Sequence, residues 1–254
     1  MASVAIVLIT GASSGIGLAC ARLFESRGEK VYGAGRQPDV RSDTSVSAAI
    51  ADILAREDRI DIAINNAGIA IAGAVEDTSI EEAKEQFEVN FFGTLRVCRA
   101  VLPAMRKQGG GCIINIGSIA GQVAVPYQGL YSASKFAIEG LTESLRMETK
   151  HLGIRIVLVE PGDHRTNLTK NRRKAEPSGP YRERFHRAIA KMEHDEQNGP
   201  DPANIAKLVA RIADNPNPRL RYTIGPVAER AAIWLKRLGP AAATEKAMKS
   251  YYSV

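Results

Sequence analysis

The chain has 254 residues, 44% hydrophobic and 24% charged, the proportions of a soluble globular body with a sizeable core. No apolar run approaches the roughly 18 residues that span a bilayer, and Met1 to Thr10 lacks the basic region and cleavage site of a secretory leader. The net charge of +6 invites an anionic partner, yet the basic residues are scattered, and their densest group (Lys170, Arg172, Arg173, Lys174) reads as solvated surface, which argues against nucleic-acid binding.

In chain order, Val4 to Ile9 is a short continuous apolar run, the pattern of a strand buried on both faces. Ile16 to Arg27 has helical spacing and Gly28 is its expected stop. Val31 to Ala34 reads as a second strand, Ser47 to Arg56 as a helix, and Ile60 to Ile64 as another buried strand. A long helix over Ile80 to Arg106 ends at Gly109 to Gly111, and Cys112 to Ile116 is the next strand. Ser132 to His151 is helical, Gly153 breaks it, and Ile154 to Val159 returns to strand. Alternating buried strands and helices predict an α/β fold, a doubly wound parallel sheet in a single Rossmann-like domain spanning residues 1–254.

From about residue 166 to residue 200 the chain turns polar, basic and Pro/Gly-punctuated, with one helix expected over Tyr181 to Met192; this stretch reads as a substrate lid. Helix Pro202 to Ala213, strand Arg221 to Ile224 and a basic amphipathic helix, Ala228 to Leu238, follow. That last helix carries the only tryptophan, Trp234, and is expected to pack on the body rather than bind a membrane. Cys20, Cys98 and Cys112 lie in apolar stretches without disulfide or metal spacing, so no metal site and a reducing, cytoplasmic setting are expected.

Thr10 to Gly17 lies between the first strand and the first helix. Its glycines, Gly11, Gly15 and Gly17, let backbone approach a pyrophosphate, while Ser13, Ser14 and Ile16 bring the N–H groups of a helix start to the same anion. Gly17 is followed by Leu18 where a P-loop needs Lys, which disfavours nucleoside triphosphate hydrolysis. Arg36 stands at the end of the second strand, where an arginine accepts the 2′-phosphate of NADP and a carboxylate selects NAD. NADP is the favoured cofactor, with NAD the other candidate because Asp39 is close enough to serve a free hydroxyl.

Tyr131 and Lys135 are four apart and share one helix face. An ammonium beside a phenol favours the phenolate, so Lys135 is expected to lower the pKa of Tyr131 and suit it to acid/base work. Ser118 follows the strand Cys112 to Ile116, at the sheet edge where ligands bind, and its hydroxyl can hold a carbonyl oxygen. Tyr127, His164 and Tyr181 are further candidates to line a pocket, although packing or surface roles suit each of them better.

With these residues in place, the chain resembles the classical short-chain dehydrogenase/reductase family. Thr10 to Gly17 matches T-G-x-x-x-G-x-G, Asn65 to Gly68 matches N-N-A-G, and Pro161, Gly162 and Thr166 match P-G-x-x-x-T. The resemblance implies catalytic roles for Ser118, Tyr131 and Lys135, and a water-holding role in a proton relay for Asn90. It implies cofactor contacts for Asn66, Ala67, Gly68, Pro161, Gly162 and Thr166, and a homodimer or homotetramer built on the Ile80–Arg106 and Ser132–His151 helices. Asn90 to Ala100 and Gly129 to Ala137 are similar to a narrower group containing 17β-hydroxysteroid and retinol dehydrogenases and bacterial relatives. The implied reaction interconverts an alcohol and a ketone or aldehyde on an apolar, steroid-, retinoid- or lipid-like substrate. A cofactor-using isomerase, dehydratase or epimerase and a non-catalytic NADP sensor stay as alternatives. One departure stands out: only Gln37 and Pro38 separate Arg36 from Asp39, where family members place a helix and a third strand. Two residues cannot make a crossover, so either the sheet has lost an edge strand or the chain is abridged there.

Overall fold

A computed structural model of the chain describes residues 4–33 and 38–254. The elements follow in the order β1 (Ile6–Ile9), α1 (Gly15–Ser26), β2 (Lys30–Tyr32), α2 (Asp43–Glu57), β3 (Ile62–Asn65), β4 (Ile71–Ala72), α3 (Ile80–Phe87), α4 (Gly93–Lys107), β5 (Gly111–Ile116) and α5 (Gly129–Thr149). Then come β6 (Ile154–Pro161), α6 (Leu168–Asn171), β7 (Arg173–Lys174), α7 (Arg182–Asn198), α8 (Ala203–Asp214), β8 (Arg221–Ile224), α9 (Val227–Leu238) and α10 (Ala241–Tyr252).

Six strands form one sheet in the order β2-β1-β3-β5-β6-β8, and every pairing is parallel. The apolar runs of the sequence become this sheet because both of its faces are covered. Successive strand residues point to opposite sides. Val7, Ile9, Ile62, Ile64, Cys112 and Ile114 pack under α1 and α8 with Phe24 and Val209. Ile6, Leu8, Ala63, Ile113 and Ile156 pack under α2, α4 and α5 with Ile50, Val101 and Leu145. A parallel strand buried on both faces has no reason to alternate polar and apolar residues. The doubly wound, Rossmann-like sheet is therefore as expected.

The departure after β2 has a structural answer. The fifteen residues of α2 supply the crossover from β2, past β1, to β3. Among the described residues no strand lies outside β2, which is the sheet edge. Ser42 starts this helix by accepting the Ser45 N–H at 3.1 Å, and Asp58, in a left-handed conformation, ends it.

The long helix expected over Ile80 to Arg106 is broken. A π-type turn, Glu88–Phe92, separates α3 from α4 and has Asn90, fully buried, within it. Such widened turns re-aim side chains at functional sites. The stretch 166–200 also holds more buried residues than its polar composition suggests. Phe185, Ala188, Ile189 and Met192 of α7 pack with Ala72 and with Tyr252 of α10, and β7 pairs with β4 in a two-stranded ladder beside the main sheet.

Helix α9 packs on the body as expected, through Ile233 against Ile119 and Val123, although Trp234 stays 62% exposed. No helix among the described residues is long and apolar enough to cross a membrane. The three cysteines are buried and unpaired, and burial pushes their thiols up, to about 12 for Cys20 and Cys98. Among the described residues no group of side chains could hold a metal ion.

Candidate active site

The carboxyl ends of β1, β3, β5 and β6 open onto one cavity of about 810 Å³, the edge at which open parallel sheets bind ligands. Its walls run from the glycine turn after β1, past Ser118, Tyr131 and Lys135, to α7, α9 and α10.

At one end the backbone of the turn is wired to the segment after β3. Thr10 Oγ1 accepts the N–H groups of Asn66 (3.0 Å) and Ala67 (3.1 Å), while Asn66 Nδ2 donates to the carbonyls of Thr10 and Gly11, both at 3.1 Å. This packing leaves no space at Gly17: a Cβ there would stand 2.3 Å from Gly11 O and 2.5 Å from Asn66 Nδ2. Gly11 and Gly15 take positive φ, +66° and +53°, which glycine adopts at little cost. Helix α1 begins here with no acidic residue in its first turn and no side chain capping it. Its free N–H groups and positive dipole end face the cavity, and together with the side-chain-free backbone they fit a pyrophosphate. Gly11, Ser13, Ser14, Gly15, Ile16, Asn66, Ala67, Gly68, Pro161, Gly162 and Thr166 all line the cavity; Gly17 does not.

Deeper in, Asn65 Nδ2 donates to Asn115 Oδ1 (2.8 Å), its register partner on β5, and Asn115 Nδ2 donates to Thr142 Oγ1 (2.9 Å). This buried polar chain joins two strands to α5. Arg36 lies outside the described residues. Asp39 lines the rim beside Arg41, which it grips with both carboxylate oxygens at 3.0 and 2.9 Å. The Arg41 guanidinium holds the Asp39 carboxyl below the usual carboxylate range. Arg41 is a rim residue that the sequence reading passed over, because its place depends on the shortened connection after β2.

At the centre, α5 starts three residues earlier than expected and carries Tyr131 and Lys135 one turn apart. Ser118 caps the short 3₁₀ turn after β5, its Oγ accepting the Ala120 N–H at 3.1 Å, and its hydroxyl draws the Tyr131 phenol pKa down. Lys135 is buried, donates to Ile116 O at 3.0 Å, and places its Nζ 5.7 Å from the centre of the Tyr131 ring. Asn90 accepts the Ile69 N–H (2.9 Å) and donates to Ile69 O and Ser134 Oγ, both at 3.1 Å. Those bonds fix the π-type turn against α5.

The charges differ from the expectation. Burial pushes the Tyr131 phenol up, to about 12, and only the Ser118 hydroxyl and the Arg172 charge oppose it. Burial also pushes Lys135 down, to about 8. The ammonium is itself poorly solvated and is turned to the Ile116 carbonyl, so in this enclosed setting it does not make a phenolate of Tyr131. What the geometry holds ready near neutral pH is a neutral phenol, a proton donor.

The far end is apolar and acidic together. Met192, Met248, Tyr251 and Tyr252 line it with Asp163, Glu196 and Glu229. Glu229 Oε2 accepts the Asp163 N–H at 3.0 Å and fills the space over Gly162, where a Cβ would lie 1.9 Å from it. Burial and the facing Glu229 and Glu196 carboxylates raise Asp163 to about 9. Of the three further candidates only His164 lines the cavity; Tyr127 packs edge-on against Phe185, and Tyr181 donates to exposed Glu76 at 2.7 Å. Arg172, read as solvated surface, is instead buried at the cavity wall, whereas Lys170, Arg173 and Lys174 are exposed.

Residues 27–177 match the family model described as short chain dehydrogenase, a span that holds Ser118, Tyr131 and Lys135 and starts after the glycine turn. The chain is 39% identical, over 98% of both chains, to a 3-ketodihydrosphingosine reductase of Bacteroides thetaiotaomicron, and 31% identical, over 96% of this chain and 97% of the relative, to an uncharacterized oxidoreductase of Bacillus subtilis. Among solved structures it is similar to a short-chain dehydrogenase of Streptomyces avermitilis, with a TM-score of 0.83, 30% identity and coverage of 99% and 97%. It is also similar to a serine dehydrogenase solved in closed form with NADP+, with a TM-score of 0.75, 27% identity and coverage of 87% and 95%. The chain belongs to the short-chain dehydrogenase family and is an oxidoreductase.

Proposed function

We propose that the protein is an NADP-dependent reductase that converts a ketone borne on an apolar, lipid-like chain into a secondary alcohol. The observation that carries this reading is a single cavity with a pyrophosphate-fitting turn at one end, a proton-donating Tyr131 at its centre and apolar walls from α7 and α10 at the other. The substrate class has independent support in the 39% identical relative, a 3-ketodihydrosphingosine reductase by name. NADP over NAD is supported by Arg36 in the sequence and by Arg41 at the rim, whose grip on Asp39 occupies the carboxylate that a free ribose hydroxyl would need.

When bound, the nicotinamide supplies the hydride. Gly11 to Ile16, Asn66 to Gly68, Lys135, Pro161, Gly162 and Thr166 would hold the cofactor. Ser118 and Tyr131 direct their hydroxyls at the substrate oxygen, and Tyr131 gives its proton to that oxygen as the carbonyl becomes an alcohol. Lys135 sets the charge beneath Tyr131, and Asn90, by keeping the π-type turn in place, holds the floor of the site; a water relay through Asn90 belongs to the same proposal. Residues 166–200 act as the substrate lid. Assembly into a homo-oligomer through α4 and α5 is supported by Phe92, Phe136 and Met147, which stand exposed at or near these helices.

A screen of straight-chain ketones of increasing length, followed by oxidation of NADPH or NADH, tests the reading. We expect kcat/KM to rise with chain length and to be higher with NADPH. A flat response to length, with polar short-chain ketones preferred, would contradict the substrate class.

A further inference from the structure

We propose that the outer face of α9 seats the protein on an anionic lipid bilayer, with the mouth of the cavity turned to the lipid. The packing of α9 uses one side only, on which Ile233 is buried against Ile119 and Val123. Val227, Ala231, Trp234 and Leu238 follow at the i, i+4, i+7, i+11 spacing of a single helix face. All four are exposed, Val227 by 78%, Trp234 by 62% and Leu238 by 81%. Isolated exposed apolar residues need no explanation, whereas a contiguous row of them marks a surface that meets another apolar one. Arg230 and Arg237, two turns apart, run along one border of the row, and both are exposed. Arg237 donates to the neutral Gln122 side chain at 2.7 Å, and among the described residues neither arginine pairs with a carboxylate. An apolar row holding a tryptophan and edged by uncompensated cations is the composition of a helix that lies in the plane of an anionic membrane surface.

Two features of the fold favour a bilayer over a second copy of the chain. Ala228, Ala231 and Leu235, on the border away from the arginines, line the cavity, so Ala231 belongs both to the exposed row and to the cavity wall. A long apolar molecule can follow this border from lipid towards Met248 and Tyr252 with little contact with water. Lys236 stands two residues from both Trp234 and Leu238, and therefore on the far side of α9. It donates to Gln122 O and lies 4.5 Å from the centre of the Phe136 ring of α5. The row thus points away from α5, one of the helices proposed for assembly. A second copy seated on the row would bring its own Arg230 and Arg237 to the same patch, like charge to like charge. Anionic headgroups bring the opposite charge to a chain whose net charge is +6. The docking stands apart from the proposed reduction, while delivery of substrate from lipid rests on it.

Trp234 is the only tryptophan in the chain, so its fluorescence reports on this face alone. With vesicles of equal parts phosphatidylglycerol and phosphatidylcholine the protein should co-sediment and its emission should move to the blue. With phosphatidylcholine alone, or at high salt, both signals should weaken. Leu238→Glu, at an exposed position, should melt like wild type and bind the anionic vesicles about tenfold more weakly. Arg230→Gln/Arg237→Gln should weaken that binding by about 10- to 30-fold. No co-sedimentation with anionic vesicles, co-sedimentation without a blue shift, or undiminished binding by both variants would overturn the proposal. So would a blue shift that arises without vesicles as the protein is concentrated and its mass doubles in sedimentation equilibrium, which makes the face an interface between copies. Vesicle binding by a protein that reduces no ketone upholds the docking and overturns the function proposed above. Where ketones are reduced, Leu238→Glu should slow reduction of a long-chain ketone supplied in anionic vesicles and leave that of a short, water-soluble ketone unchanged; equal slowing of both would overturn the delivery route.

Discussion

The two ends of the cavity are built on opposite principles. At the turn end, backbone and neutral side chains do the work: Thr10 and Asn66 spend their hydrogen bonds on each other's segments, and Gly17 has no room for even a methyl group. At the far end, charged side chains are buried with part of their bonding capacity unused; Arg172 has two free nitrogens and His164 one. A site whose polar groups are already satisfied is specified by its own chain. The other end is where proteins that share a fold can diverge in what they bind.

The turn end is the easier one to break. Gly17→Ala places a Cβ against Gly11 O and Asn66 Nδ2, and backbone cannot give way as a flexible side chain would. We expect a loss of about 2 kcal/mol, a Tm lower by about 4–8 °C, and a KM for NADPH raised well above tenfold. Thermal melting with and without NADPH checks this, and a variant that melts like wild type and is stabilised equally by NADPH would contradict the account.

The far end should answer to pH, with a smaller effect. Asp163 is raised to about 9, against 3.8 for an ordinary aspartate carboxyl. Between those values the folded protein keeps a proton that the unfolded chain has released, so this carboxyl contributes stability at low pH that is lost as pH rises towards 9. Asp163→Asn, which is neutral throughout, removes that slope. Its Tm relative to wild type should climb steadily between pH 5 and pH 8; a difference that is constant with pH would place the proton elsewhere.

The same contrast governs what the sequence reveals. The β1, β3, β5 and β6 strands are legible because burial on both faces demands unbroken apolar runs, and the turn and the Ser118, Tyr131 and Lys135 set are legible because their spacing is local. Arg172 is not, because it stands among four basic residues and only the distant Glu196 draws it inside. Helix α10 escapes notice because Tyr252 is its one buried residue, so it presents no apolar stripe. The π-type turn is hidden because Asn90 is held by the Ile69 backbone and by Ser134 on another helix. The charge state of Tyr131 also depends on enclosure, which spacing does not record.

The central claim is that Tyr131 delivers the proton at one shared cavity, and Tyr131→Phe tests it most directly. The variant keeps the ring and loses only the hydroxyl. The account predicts NADPH binding within a fewfold of wild type, measured by fluorescence titration, with ketone reduction slowed by about 10²–10⁴-fold. Normal turnover by Tyr131→Phe, with cofactor binding intact, would contradict it.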